Sequence, residues 1–434
     1  MTEPTASSSP TRFNRICSIV ILLWTLLICG AFIKRPSTQD FLQYRMGGVI
    51  ARFGEFDSLY PIPNPESVKN PGGPDDSFLR PRYAELAEQY AKGDANWVRF
   101  MSPPPNAILL YPLGFGEYTL MHRLWLIIAA LCGWRICVQA GKIFSLLRGK
   151  ECRGAGAIIL LAGFSIMMYR SIRVGNVSTQ MGWLLGAATL ELATRDGIRG
   201  AMAITLSAVI KYVGAILAPL VILTARWRTI VWGAILSMLV LATSFFFMGT
   251  GPYEVFFREI WPTLQRSLPD PANSSLEAFL LRLTHTNVLP DNVALGLKIV
   301  RGATLLFLLS LLVFRARKGW SKETMIAGSL ALISWMLIFS PMFWEHYHAY
   351  LMPFWGYLIW EASRSRVKLM FVILAIAMAY IPTPIIGPIH RRLPEPFASH
   401  LLWSAAVMWA ISLARLIQKS QVLTTFPASP NQGK

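Results

Sequence analysis

The sequence predicts an all-α polytopic membrane protein: a bundle of about 11–12 transmembrane helices whose long first external loop carries amphipathic interfacial helices. Three observations predict it. Of 434 residues, 54% are hydrophobic and only 15% charged, with a mean hydropathy of +0.45, outside the range of soluble globular chains. Apolar runs near membrane-crossing length recur from residue 15 to residue 418. The basic residues behind the net charge of +18 sit in short clusters between those runs. That pattern orients helices in a bilayer and favours anionic lipid over nucleic acid as the partner.

Residues 1–14 read as a polar, cytoplasmic N-terminal tail. Arg12 and Arg15 lead into ICSIVILLWTLLICGAFI, too long for a signal-peptide core and without a small-x-small cleavage site, so it is expected to stay as the first span. Loop 34–103 follows, too long for a mere connector. Its first stretch, STQDFLQYRMGGVIARFG (37–54), repeats Leu42, Met46, Val49 or Ile50, and Phe53 at helical spacing, with Ser37 or Thr38 as cap and Asp40 in the first turn. Taken alone, Asp40 need only complement the helix dipole. PIPNPESVKNPGGPDDS is predicted irregular, and RYAELAEQYAKG a second surface helix.

The remaining apolar runs cover 104–115, 117–140, 154–170, 177–194, 198–224, 227–249, 292–314, 324–341, 346–361, 367–385 and 398–418. The first is interrupted by Pro112 and Gly114, and reading it as a broken or re-entrant helix lowers the count to eleven. Residues 15–418 then form one transmembrane domain, 250–291 a second external loop and 419–434 a cytoplasmic C-terminal tail. Twelve spans put Arg226 and Arg228, the group Arg315, Arg317, Lys318 and Lys322, and the group Arg364, Arg366 and Lys368 on the cytoplasmic side. Only Lys142, Arg148, Lys150 and Arg153 fall outside.

Five cysteines include no CxxC pair and read as packing residues, and six histidines include no HExxH, so no metal site is expected. Ionisable groups inside spans are expensive and mark function. Lys211 lies near the middle of run 198–224, where it either pairs with an acid or snorkels, or faces a lipid phosphate. Arg123 lies nearer a span end and snorkels more readily. SPMFWEHYHAYLMPFWGYL sets Glu345, His346 and His348 among aromatics at a membrane boundary, either as an interfacial belt or as donors to a sugar or phosphate. In NSSLEAFLLRL, Ser274-x-x-Glu277 reads as a capping box, which leaves Asn273 and Arg282 unexplained. RVGNVSTQMGWLL is a polar turn, with Asn176, leading into a span.

In this order the pieces resemble glycosyltransferase family 87, the DUF2029 group: an acid after span 1, FMSPPPNAILLYPLGF, RVGNVSTQMGWLL, Lys211, NSSLEAFLLRL and FSPMFWEHYHAYLMP. The resemblance covers roughly 37–360, and the order of the motifs is its specific part. The family more often reads Gly-Gln where this chain has Gly175-Asn176, and the insert at 61–77 is longer than the family's. The resemblance implies a GT-C fold and a metal-independent hexosyltransferase without cofactor, similar to the mycobacterial mannosyltransferases that elongate phosphatidylinositol mannosides. It implies a polyprenyl-phosphate-sugar donor, a lipid or glycan acceptor and inversion at the anomeric carbon. The expected location is a bacterial inner (plasma) membrane with the site facing the periplasm, the alternative an ER membrane, since Asn176 and Asn273 fit N-x-S/T. By the same resemblance Asp40 is the catalytic base, loop 34–103 the catalytic loop, and Tyr44, Asn176, Lys211, Asn273, Arg282, Glu345 and His346 the substrate-binding candidates.

A secondary transporter or lipid flippase explains many spans and intramembrane charge equally well, but not an acid at the head of a long first loop. O-antigen ligases and polymerases share the hydropathy but place their large external loop late.

Overall fold

The computed structural model describes residues 11–33, 39–61, 80–91, 99–381, 395 and 399–418. The insert at 61–77 beyond its first residue, the proposed caps Ser37 and Thr38, the C-terminal tail 419–434 and residues 1–10 of the N-terminal tail lie outside them. Among the described residues the fold is all helical, with one isolated bridge between Asn273 and Trp344.

Helix α1 (Arg12–Phe32) is capped by Thr11 and packs on α5 (Tyr118–Arg148) and α6 (Arg153–Gly163). The first loop supplies α2 (Gln39–Phe53) and α3 (Pro81–Tyr90), which pack together. Run 104–115 forms only α4 (Pro104–Leu109) and a 3-10 turn, Tyr111–Gly114. At roughly 1.5–2 Å per residue this is too short to cross a hydrocarbon layer of about 30 Å. It serves instead as the bed for α2: a Cβ on Gly48 would lie 2.3 Å from the Leu110 carbonyl oxygen, so only glycine admits this contact.

Among the described residues six helices are long and apolar enough to cross a membrane, or seven if the bent pair α6 and α7 (Ile166–Val174) counts as one span. The expected 11–12 is higher because several apolar runs form short or broken helices inside the bundle. Helix α8 (Ser178–Thr194) has 17 residues, and run 346–361 becomes two 3-10 turns, Glu345–Tyr350 and Met352–Phe354, before a short helix, Trp355–Ala362. An all-round apolar helix signals burial in protein as readily as burial in lipid.

Run 198–224 is the largest departure. Helix α9 (Ile198–Lys211) stops at Lys211, and Tyr212 turns into the left-handed region at φ 48°. A 3-10 turn (Val213–Leu217) and α10 (Ala218–Leu223) then lead back. A Cβ on Gly214 would lie 2.0 Å from Ser207 Oγ and 2.4 Å from the Ile204 carbonyl oxygen, so the returning strand of the hairpin presses on α9. The ends meet where Thr229 Oγ1 accepts from the Gly197 amide at 3.1 Å and Arg226 Nη2 donates to the Leu192 carbonyl at 2.9 Å. This run turns back on itself, and Lys211 is at its tip.

The basic clusters gather at one end. Asn14 Nδ2 donates to Glu151 at 2.8 Å and its Oδ1 accepts from the Gly156 amide at 3.0 Å. The cluster from Lys142 to Arg153 therefore lies beside the start of α1, not across the membrane from it, because 104–115 does not cross. Helix α8 runs alongside α5 in the same direction, tied by Trp125 Nε1 to the Gly175 carbonyl (2.7 Å) and Gln139 Nε2 to the Trp183 carbonyl (3.0 Å), which brings Arg226 to that end too.

The lipid-facing elements are α11 (Trp227–Met248) and α12 (Asp291–Lys318): only 6% and 17% of their apolar cores are buried, against 78% for α13 (Lys322–Phe339). Helix α13 packs on α15 (His400–Ile417), which also meets α14 (Arg366–Tyr380). The helix at Leu276–Leu283 is capped by Ser275, whose side chain accepts from the Ala278 amide, rather than by Ser274. Glu277 instead pairs with Arg301 at 3.2 Å.

Candidate active site

Four segments far apart in sequence meet at Asp40. The apolar positions of α2 bury Phe41, Leu42 and Met46, which leaves Asp40 half-buried in the first turn and aimed at the bundle. Its Oδ2 accepts from Asn176 Nδ2 at 3.0 Å, and Gln43 Nε2 stands 3.5 Å from Oδ1. Asn176 is presented by a tight turn between α7 and α8: Gly175 adopts φ 68° to end α7, and its carbonyl is pinned by Trp125. The other side of the Asn176 amide, Oδ1, accepts from Ser178 Oγ at 2.8 Å and lies 3.5 Å from Lys211 Nζ. Asn176 thus links the acid to the cation.

Lys211 ends α9, where the helix dipole favours a positive charge. Its Nζ donates to the Tyr347 hydroxyl at 2.5 Å and sits 4.0 Å from that ring's centroid. Tyr347 in turn stacks on Tyr350, centroids 5.4 Å apart. Tyr44, one helical turn after Asp40, is 1% exposed and leans on Trp125, centroids 5.2 Å apart. His346 turns its ring edge-on to Tyr347, and its Nε2 has no partner. Its carbonyl accepts from Ser171 Oγ at 3.1 Å. Beside it Glu345 pairs with Arg170, which leaves Glu345 Oε2 and Arg170 Nε without partners. Two clasps from α7, Arg170 to Glu345 and Ser171 to His346, therefore hold the 3-10 turn against the centre.

The electrostatics follow from this geometry. Burial raises the pKa of the Asp40 carboxyl above its usual value; the Lys211 charge and the Asn176 hydrogen bond oppose that shift without cancelling it. The result is a carboxylate with enhanced basicity, one amide away from an ammonium, beside unpartnered His346 and Glu345 atoms. A base, a cation and unfilled donors and acceptors suit a reaction in which a hydroxyl loses a proton while a phosphate gains charge.

Of the sequence candidates, Asp40, Tyr44, Asn176, Lys211, Glu345 and His346 come together. Asn273 and Arg282 do not. Asn273 is fully buried and stitches segment 267–275 to 341–345: Nδ2 donates to the Leu268 and Pro341 carbonyls at 3.1 and 3.0 Å, and Oδ1 accepts from the Ser275 and Phe343 amides at 3.2 and 2.9 Å. Arg282 donates to the Asp270 and Asn273 carbonyls, Glu395 and Ser399, at 2.5–2.8 Å. Their proximity to Glu345, whose amide donates to the Ala272 carbonyl at 3.1 Å, makes them supports of the turn that carries Glu345 and His346. Sequence reasoning missed Arg170 and Tyr347. Arg170 carried a signal, a lone cation in apolar SIMMYR just before the Asn176 turn. Among the described residues no group of three or more His, Cys, Asp or Glu side chains is placed to hold a metal ion.

No curated protein matches the chain. The family model of glycosyltransferase family 87 matches residues 100–341, more than half of the sequence. That span contains Arg170, Asn176 and Lys211, whereas His346 falls just beyond its end and Asp40 well before its start. By that match the chain, a multi-pass helical bundle, belongs to glycosyltransferase family 87.

Proposed function

We propose that this glycosyltransferase moves a hexose, mannose in the first instance, from a polyprenyl-phosphate sugar to a hydroxyl of a lipid or glycan acceptor, inverting the anomeric carbon, with Asp40 as general base. The observation that carries the reading is the relay Asp40–Asn176–Lys211, an acid and a cation held on the two sides of one amide.

In the proposed step the acceptor oxygen attacks the anomeric carbon as its proton passes to Asp40. The bond from that carbon to the phosphate oxygen breaks, and its electron pair stays on the phosphate. Negative charge therefore migrates from Asp40 to the leaving phosphate. Lys211 lies next to the acid, so it can balance the charge at both ends of that migration without a metal ion being invoked. Asn176 Nδ2 orients the carboxylate, and Tyr44 packs one turn along the same helix. His346 Nε2 and Glu345 Oε2, unpartnered in the closed cluster, are the natural groups for sugar hydroxyls. The single displacement accounts for inversion. The reading places the protein in a bacterial inner membrane, with the centre facing the periplasm.

The test is transfer by the purified protein in nanodiscs, with radiolabelled polyprenyl-phosphate mannose and a membrane-lipid extract as acceptor. Asp40→Asn keeps the shape and removes the base, so transfer is expected to fall by about 10²–10⁴-fold with donor binding retained. Equal transfer by both forms would return Asp40 to a helix-terminal role. Failure of both with mannose, glucose and arabinose donors would overturn the donor class.

A further inference from the structure

Helix α2 has a second polar face that the proposed chemistry does not use. Arg45 and Arg52, seven residues apart, lie on the same side of the helix, about 100° round from Asp40 and Tyr44. Arg45 is 2% exposed. Its Nη2 donates to the Gly116 carbonyl at 2.8 Å, but among the described residues Nε and Nη1 find no acceptor. The buried Tyr118 hydroxyl also has no partner. Among the described residues the ionisable groups acting on Arg45 are Arg52, Tyr118 and Tyr90, none of them a carboxylate; of the nearest acids in sequence, Asp40 is held by Asn176 and Glu55 pairs with Arg82. Burial and the like charge of Arg52 both disfavour its charged form.

A guanidinium that is buried, half-satisfied and next to a second guanidinium lacks an anion. Arg52, two turns further along the same face, is half-buried, with Nη1 on the Gly114 carbonyl at 3.0 Å and its guanidinium 5.0 Å from the Phe115 ring and 5.9 Å from Tyr90. The rim is apolar and outward-facing: Leu109, Tyr111, Phe115 and Leu120 are 39–53% exposed. A free anion gains nothing from such a rim, whereas a lipid buries its chains on it and its phosphate beneath.

We propose that Arg45, Arg52 and the Tyr118 hydroxyl form a docking site for the phosphate of an anionic lipid, on the face of α2 turned away from Asp40. The Arg45 guanidinium offers its unpartnered Nε and Nη1 donors to phosphate oxygens from two different edges, and Arg52 swings off Phe115 to close over a third. The site is independent of what Asp40 does.

The experiment is native mass spectrometry of the full chain in detergent, titrated with phosphatidylglycerol, with diacylglycerol or with inorganic phosphate. One tightest phosphatidylglycerol is expected to bind in preference to diacylglycerol and to resist millimolar phosphate. Arg45→Lys and Arg52→Gln are each expected to weaken it at least about tenfold, whereas Arg317→Gln, in the lipid-facing groove of α12, leaves it in place. Arg52 is half-buried, so its variant folds even if the Arg45 variant does not. Wild-type affinity in the folded Arg52 variant would overturn the proposal, as would displacement by inorganic phosphate, which would mark a small-anion site, or an equal loss in Arg317→Gln. Because the readout is binding, its failure and a failure of the transferase chemistry are separately visible.

Discussion

At the scale of single residues, Asp40 is useful as a base only when ionised, and two neighbours keep it so against burial. Lys211 and Asn176 both lower a pKa that burial has raised. Removing the Asn176 amide removes one of these, so the pKa rises further and the acidic limb of the pH–rate profile moves to higher pH. Asn176→Ala is therefore expected to shift that limb upward and to lower kcat/KM by about tenfold at neutral pH, the loss of one hydrogen bond to a charge. A profile that falls uniformly without moving would separate Asn176 from the acid. Lys211 and His346 stood out in the sequence because polar groups among apolar neighbours are costly and need a purpose, whereas Asp40 stood out by its place after the first span and by the family resemblance. Asn273 and Arg282 met the same criterion, yet their purpose is to clasp two loop segments. Sequence cannot separate these cases, because a buried amide satisfied by backbone and one waiting for a sugar are equally polar. Tyr347 was illegible for the opposite reason, as one more aromatic in an aromatic-rich stretch.

At the scale of elements, the hairpin 198–224 decides where the cation stands. Its run of apolar residues is long enough to cross, and nothing in composition says that it turns back. The turn is made by a left-handed Tyr212 and by the close approach of Gly214 to α9. Gly214→Ala must push the two arms apart, and such overpacking costs about 1–3 kcal/mol. Melting temperature in detergent is expected to fall, and kcat more than KM, since Lys211 moves while the rest of the binding surface stays. An unchanged kcat would show that the tip does not set the cation's position. The first loop was more readable. Its two amphipathic helices follow from spacing alone, because a half-buried helix displays its period, whereas a helix buried on all sides does not.

At the scale of the whole molecule, the membrane-facing surface is carried by α11 and α12, with Leu239 61% exposed near the middle of α11. Leu239→Arg is expected to cost about 2.5–3.5 kcal/mol of insertion free energy and to reduce the membrane-integrated fraction, read by carbonate extraction. Full integration would place that face against protein. The expectation that set Lys142–Arg153 across the membrane from the N-terminal tail came from counting 104–115 as a crossing. Among the described residues, six or seven long helices with short ones between them make up the bundle, and hydropathy alone does not tell the two kinds apart.

The polar centre is closed by two ties, Asp40 to Asn176 and Lys211 to Tyr347, and each joins residues 136 positions apart. During synthesis the acid leaves the ribosome early and the last partner very late. The nascent chain therefore sits in the lipid for most of its translation with these ties unmade, and the polar centre closes only when the stretch around Tyr347 folds in. Messages broken before that point yield fragments whose centre stays open, however many helices they encode.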